Sequence, residues 1–301
     1  MDRTTIDVAG MAEGMVPGQI RYGELLLGAG TPYQWRKLKG WETLPPQDSG
    51  NVPRSGDHGA HLGRLLAQTR TIGLDEVIVR AEAYRFGAVV EALNDGTPLA
   101  IDEQPLLVHL DDRGPLLAWA RVTNRDVPVE PAYAIGTVTG AALEWEATDP
   151  RRYTPAVQHA ETGLPEPCLP WHTHPDTGRP RGVPASTGNV TAYNLGKAPT
   201  HPVVIFRGPV DTPALINRTT GRRLEYRVAL EPGEQLTVDT FAGTATLPDG
   251  ESLLTDASLA SWPEQTFTLD PGDNELEFRA APSVPADPRA AVALRWRSAH
   301  W

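Results

Sequence analysis

Leu143-Glu144-Trp145-Glu146-Ala147 decides the fold class. Apolar side chains at 143, 145 and 147 alternate with carboxylates at 144 and 146, the period of two that sends successive side chains to opposite faces of a strand. The sheet that holds this strand has one buried face and one wet one. Outward from it, between Gln19 and Thr148, short apolar segments recur between polar turns at Ile20–Leu27, Arg70–Val79, Leu116–Val122 and Tyr133–Ala147. A single stretch departs from that rhythm. Ala83, Phe86, Val90 and Leu93 recur at helical spacing ahead of Asn94-Asp95-Gly96, which predicts a helix over Glu82–Asn94 with glycine closing its end.

Composition agrees with a β-rich chain. With 29 Pro and 28 Gly among 301 residues, long helices are excluded and short strands joined by turns are favoured, while 40% apolar and 22% charged residues are those of a globular protein. A chain of this length sits where one core commonly splits into two. Pro150–Pro199 is the natural divide, because Pro155, Pro165, Pro167, Pro170, Pro175, Pro180 and Pro184 interrupt it without a periodic apolar pattern. The expected domains are 1–153, a β-domain with one helix; 154–192, a Pro-rich arm or linker; and 193–301, a β-sandwich. In the last of these, Val203-Val204-Ile205-Phe206 reads as a buried strand. Leu224, Tyr226, Val228 and Leu230 alternate with polar neighbours, and Glu231-Pro232-Gly233-Glu234, Pro248-Asp249-Gly250 and Asp270-Pro271-Gly272-Asp273-Asn274 read as turns.

Charge and motifs narrow the chemistry. A net charge of -11 with no basic run disfavours tight nucleic-acid binding. The single Cys168 leaves no disulfide framework within one chain and no four-cysteine zinc motif. Met1–Glu13 carries Asp2, Asp7 and Glu13 without the roughly 7–15-residue apolar core of a signal peptide. No apolar run reaches the length of about 18 residues that spans a membrane, so the chain is expected to be made in the cytoplasm without membrane insertion. None of the common hydrolase, metalloprotease, phosphate-cradling or dinucleotide motifs occurs. His172 and His174 could offer two nitrogens to a metal and Cys168 or His159 could be recruited as a third ligand, but no third ligand lies nearby in the sequence and a solvated Pro-rich loop with incidental histidines is the better account of them. His58 and His61, near Asp48 and Asp57, have no nucleophile beside them. The chain is therefore expected to be no enzyme, with no catalytic, cofactor-binding or metal residues. Trp296 alternates with Arg295 and Arg297 and suits a core or an interface, Trp301 suits packing against a neighbour, and Trp262 suits either packing or a glycan contact.

Several segments together resemble the distal tail proteins of long-tailed phages and prophages of actinobacteria. They are Gly50-Asn51-Val52-Pro53-Arg54 leading into His58-Gly59-Ala60, and Ala147-Thr148-Asp149-Pro150-Arg151-Arg152-Tyr153. In the second half they are Asn194-Leu195-Gly196-Lys197-Ala198-Pro199-Thr200 running to Gly208, Asp270–Leu276, and Arg295–Trp301. The resemblance implies a mainly β protein of the virion tail tip. Its N-terminal domain would be a tail-tube-like β-barrel or sandwich with one helix, assembling as a homo-hexameric ring around a channel through which DNA passes without specific binding. Its C-terminal domain would be a peripheral galectin-like or jelly-roll sandwich, a shape that does not by itself confer sugar binding. Implied partners are further copies of the chain, the tail tube protein, and tail-associated or receptor-binding proteins. Candidate interface residues are Trp35, Trp41 and His58 in the early loop, Arg151 and Arg152 at the strand exit, and Trp171 in the Pro-rich stretch. The competing readings are a carbohydrate-binding module anchored at Trp262, a cell-wall hydrolase built from distant carboxylates, and the ring component of a contractile injection particle.

Overall fold

Trp145 is fully buried between two long neighbours, and its register shows why. In the computed structural model, which describes residues 3–165, 172–173, 180–181, 186–281 and 287–301, Leu143 lies opposite Leu74 and Trp145 opposite Ile72, while Glu144 turns to solvent. The protein is mainly β and divides into two compact units. One comprises Val8–Pro155 with Trp301, and the other Ala156–His300 with the N-terminal segment to Asp7.

The first unit opens on a short helix, α1 (Val8–Ala12), followed by β1 (Gln19–Tyr22), β2 (Leu25–Gly28), β3 (Tyr33–Gln34), β4 (Lys37–Lys39), β5 (Arg70–Arg80), helix α2 (Ala83–Asp95), β6 (Gln104–His109), β7 (Leu116–Asp126) and β8 (Thr137–Ala147). These strands form one antiparallel sheet in the order β2-β1-β6-β7-β8-β5-β3, with β4 also paired to β5. The two ends of that order are β2 and β3, which only Ala29–Pro32 separates, so the sheet must curl until its edges nearly meet. Side chains close the gap that the ladder leaves. Gln34 Nε2 donates to the Gly28 carbonyl at 3.0 Å, and Trp35 Nε1 donates to the Gly18 carbonyl at 3.1 Å. Only glycine fits at position 28, where φ is +99° and a Cβ would lie 2.0 Å from the Gly18 oxygen.

Helix α2 runs one residue later at each end than its periodicity predicts. It buries Phe86, Val90 and Leu93, with Phe86 edge-on to Tyr133 at 4.9 Å. Gly96 closes it, though not by a left-handed turn: its φ is -75°. Glycine is needed there because a Cβ would sit 2.8 Å from Leu25 Cβ.

The second unit is a sandwich of two antiparallel sheets. One holds β9 (Gln158–Gly163), β11 (Val203–Arg207), β14 (Gln235–Asp239), β15 (Thr244–Thr246) and β17 (Ala291–Trp296), in the order β9-β17-β11-β14-β15. The other holds β10 (Asn189–Asn194), β12 (Ala214–Asn217), β13 (Arg222–Glu225) and β16 (Gly272–Arg279), in the order β10-β16-β12-β13. Phe206, Tyr226, Phe267, Phe278 and Leu236 fill the space between them, each large side chain contributing about 1.5–3 kcal/mol by its removal from water. Trp296 belongs to this core, with its Nε1 donating to the Tyr193 carbonyl at 3.2 Å, which decides between the two roles its flanking arginines allowed.

The segment 154–192 is more than a link. Its early part supplies β9, paired residue by residue with β17 from Gln158↔Trp296 to Gly163↔Ala291, and its end supplies most of β10. The sandwich therefore begins at Ala156 and not at Tyr193. The residues that β9 turns inward are Gln158, Ala160 and Thr162, too small or polar to register as a hydrophobic alternation.

Candidate functional site

The first unit sends out an arm. Between β4 and β5 the chain leaves the barrel as a ribbon held by two short antiparallel ladders, Gln47–Asp48 with Leu66–Ala67 and Val52–Pro53 with Ala60–His61. Every residue from Gly50 to Leu62 is exposed. Local chemistry shapes the ribbon. Arg54 N donates to the Gly59 carbonyl at 3.1 Å to turn the tip, and Asn51 Oδ1 accepts from Gly63 N at 2.8 Å where the two strands cross. A Cβ on Gly63 would lie 2.1 Å from the Gly50 oxygen, so the crossing demands glycine. The Gly50-Asn51-Val52-Pro53 motif is thus part of the arm's backbone geometry.

The root of the arm is clamped. Arg70, the first residue of β5, is almost wholly buried, and its Nη1 donates to the carbonyls of Gly40 (2.6 Å), Trp41 (3.1 Å) and Thr43 (2.7 Å) while Nε donates to Pro150 (2.8 Å). Burial, and then the nearby Arg152 charge, pull its guanidinium down to about 10, which still leaves it charged at neutral pH. Beside it, the Arg152 guanidinium lies 5.6 Å from the Trp41 ring centroid, pairs with Glu42 at 3.1 Å and donates to the Trp301 carbonyl. Glu42 also takes Arg113 at 3.3 Å, and Arg113 in turn is forked onto Asp111.

This arrangement redistributes the residues expected at an interface. Trp41 and Arg152 are buried and spend their contacts inside their own unit, where they brace the arm instead of facing a neighbour. Arg151 is engaged by Asp149 at 2.7 Å, an acid that also accepts from Tyr153 Oη at 2.5 Å. Trp35 is half-buried at the barrel seam. His58 alone of the described candidates stands out in solvent, at the arm's tip. Trp171 lies outside the described residues, as do Cys168, His174 and the side chain of His172. Among the described residues no three His, Cys, Asp or Glu side chains converge as a metal ion would need. His58 and His61 sit exposed on the arm, and His159 faces Glu161 at 3.5 Å.

The apolar surface of the arm had no sequence signal of its own. Leu44, Val52, Leu62, Leu65 and Leu66 are all more than half exposed, and Leu62 reaches 94%. At the root, Leu44, Pro45, Gln47, Leu65, Ala67 and Trp301 line a mainly apolar cleft of about 210 Å³.

The second unit carries a different kind of surface. Asn189, Thr191, Arg218, Glu275 and Glu277 border a polar cleft of about 410 Å³ on the β10-β16 face, with Glu277 paired to Arg218 (3.6 Å) and Arg279 (3.4 Å). Trp262 is half-exposed beyond the opposite edge, its amide donating to the Arg223 carbonyl at 2.8 Å. The Asn194–Thr200 motif is structural. Buried Asn194 donates to the carbonyls of Ala198 (2.8 Å) and Leu269 (3.1 Å) and accepts from Gly196 N, while Thr200 Oγ1 donates to the Arg297 carbonyl at 2.7 Å. Buried Asn274 does similar service in the Asp270–Asn274 turn, donating to the Asp270 carbonyl at 2.8 Å.

Residues 195–298 match the family of siphovirus-type tail component C-terminal domains. Among solved structures, the crystal structure of the phage SPP1 protein Dit, a hub of the adsorption apparatus in phages of Gram-positive hosts, aligns with a TM-score of 0.62. It does so at 12% identity, over 92% of this chain and 97% of that one, so the shared fold runs through both units. The phage P2 baseplate in its activated conformation also aligns. Its form with Ca gives a TM-score of 0.49 at 8% identity over 94% of this chain and 98% of that one. The form with Sr gives 0.48 at 9% identity over 93% and 97%. No curated protein sequence matches this chain.

Proposed function

We propose that this chain, a phage tail component with the fold of the distal tail protein Dit, forms a closed ring of its own copies at the tip of the tail, a hexamer by the family resemblance. The ring joins the tail tube protein on one side to tail-associated and receptor-binding proteins on the other. The observation that carries this reading is the arm. A ribbon held by two-residue ladders is marginal in water, and this one also exposes five large apolar side chains, so it is built to be covered by another surface. A second chain supplies that cover. The role is structural and not catalytic. The glycines, asparagines and arginines of the recurring segments are used in turns, clamps and backbone contacts, which leaves them no part in bond-making. The net charge of -11 suits a wall past which DNA slides without being held.

Light scattering over a range of concentrations, with negative-stain images of the protein alone and with its tail tube protein, tests the reading. Particles of about six copies with a central hole are expected. A strict monomer under both conditions would overturn it.

A second reading assigns the β10-β16 polar face and Trp262 to host-wall glycans. Its support is a half-exposed tryptophan beside a sheet that displays Asn, Arg and Glu side chains. Titration with cell-wall oligosaccharides, followed by Trp262→Ala, separates the two readings, since the ring reading rests on the arm of the first unit and gives Trp262 no role.

A further inference from the structure

The outer face of the β10-β16-β12-β13 sheet carries a row of side chains that the strand register makes continuous. Asn189 lies opposite Glu277, Glu277 opposite Ile216, and Ile216 opposite Arg223, one residue from each strand. The chain neighbours Leu276, Phe278, Leu215 and Leu224 are buried, so the row faces away from the core. Beyond Arg223 it gains a fifth member, because Trp262 N donates to the Arg223 carbonyl at 2.8 Å and its side chain is half-exposed. Strands about 4.8 Å apart place Asn189 and Trp262 roughly 19 Å from each other.

The two ends of the row differ in chemistry. In the polar cleft, Glu277 is held by Arg218 at 3.6 Å and by Arg279 at 3.4 Å, and Arg279 Nη2 also donates to Asn189 Oδ1 at 2.9 Å. That bond turns the Asn189 amide nitrogen outward beside a fixed carboxylate. Donors and acceptors thus stand side by side, which suits a hydroxyl group because it both donates and accepts. Ile216 supplies an apolar step in the middle, and Trp262 supplies an aromatic face at the far end. Arg223 pairs with Glu225, while its Nε finds no acceptor among the described residues. Charge on this face is balanced. Glu225, Glu275 and Glu277 are matched by Arg218, Arg223 and Arg279, which leaves no net attraction for a phosphate polymer.

We propose that this row binds an uncharged oligosaccharide along its length, with sugar hydroxyls on Asn189, Glu277 and Arg223 and the apolar faces of the rings on Ile216 and Trp262. The proposal rests on the glycan reading above and deepens it, since it assigns one extended track in place of a cleft and a separate tryptophan. The track is longer than a single sugar can cover, so several sugars must share it. Ion pairs that already fix Glu277 and Asn189 reduce the ordering that binding would otherwise require.

The test titrates the full chain, by calorimetry, with glucose, N-acetylglucosamine and a tetramer of each, and with poly(glycerol phosphate) as the anionic comparison. At least one neutral tetramer is expected to bind about tenfold or more tighter than its monomer. Trp262→Ala and Thr191→Leu, exposed positions at the two ends of the track, are each expected to weaken that tetramer about tenfold while keeping the wild-type thermal midpoint. Asn189→Ala should weaken it likewise; if loss of the Arg279 bond also lowers its midpoint, Thr191→Leu decides for that end. Binding that Trp262→Ala abolishes and Thr191→Leu leaves unchanged, with monomer and tetramer alike, would overturn the track while leaving the glycan reading at Trp262 standing. Tetramer binding that neither variant alters would also overturn the track. A preference for poly(glycerol phosphate) would overturn the uncharged class of ligand. No binding of any neutral saccharide would remove the track and the glycan reading together.

Discussion

Arg70 and Pro150 stand eighty residues apart in the chain and meet through a 2.8 Å hydrogen bond from Nε to the carbonyl oxygen. The same guanidinium reaches the carbonyls of Gly40, Trp41 and Thr43, so one buried cation ties the exit of β8 to the root of the arm. A planar fork can do this and a point charge cannot, because its donors leave in fixed and separate directions.

Arg70→Met should therefore cost about 3 kcal/mol or more, since it strands several buried carbonyls whose unmet demand is roughly 1–3 kcal/mol each. Arg70→Lys should recover only part of the loss. Chemical denaturation reads the stability, and limited proteolysis between Leu44 and Ala67 reads the release of the arm; faster cleavage with unchanged stability of the barrel would place the clamp's role in the arm alone.

Gly196→Ala should destabilise the second unit. Its Cβ would lie 1.7 Å from the Ala299 oxygen, a main-chain atom that cannot swing aside, and the shift would strain Asn194, which bonds both strands of chain there. The expected cost is about 2 kcal/mol or more, in the range of overpacked cores. Calorimetry should show the transition of this unit moving down; an unmoved transition would mean that the Ala299 segment yields without cost.

Much of this fold is legible before any coordinates are known. The Leu143–Ala147 alternation marks a strand with one buried face, and Ala83-Phe86-Val90-Leu93 mark the helix within one residue. What remains hidden has physical causes. The partners of Arg70 are main-chain carbonyls, which leave no trace in residue identity, so it reads only as the first residue of an apolar segment. The arm has no hydrophobic period because its residues from Gly50 to Leu62 are exposed and turn no face toward the core of their own unit. Strand β9 turns Gln158, Ala160 and Thr162 inward, and so looks like the Pro-rich stretch that follows it. Trp41 is a large aromatic in a loop, and Arg151 and Arg152 carry planar forks at a strand exit, but residue type alone does not distinguish a brace within one unit from a contact between two copies.

Gly87→Ala should stabilise the first unit. Gly87 lies inside α2 on its exposed side, and a Cβ there meets nothing within 4 Å. The gain is expected at about 0.5–1 kcal/mol from lower backbone entropy in the unfolded chain. A neutral or negative shift in denaturant midpoint would indicate that this side of the helix is covered in the assembled protein's solution state.

The turn at Asp111 gives a pH dependence with a definite sign. The Arg113 side chain, and then its backbone amide, hold the Asp111 carboxyl down from its ordinary 3.8 to about 2. A depressed folded-state value means that the carboxylate form favours the folded protein; the contribution is complete above about pH 4 and disappears as pH falls toward 2. Because the pair is exposed it is screened, so the effect should shrink in high salt. Asp111→Asn keeps an acceptor for the Arg113 amide and removes only the charge. Its melting temperature should lie below that of the wild type at pH 6 and converge with it near pH 2, whereas a gap that persists unchanged at pH 2 would assign the stabilisation to the turn's shape and not to the carboxylate.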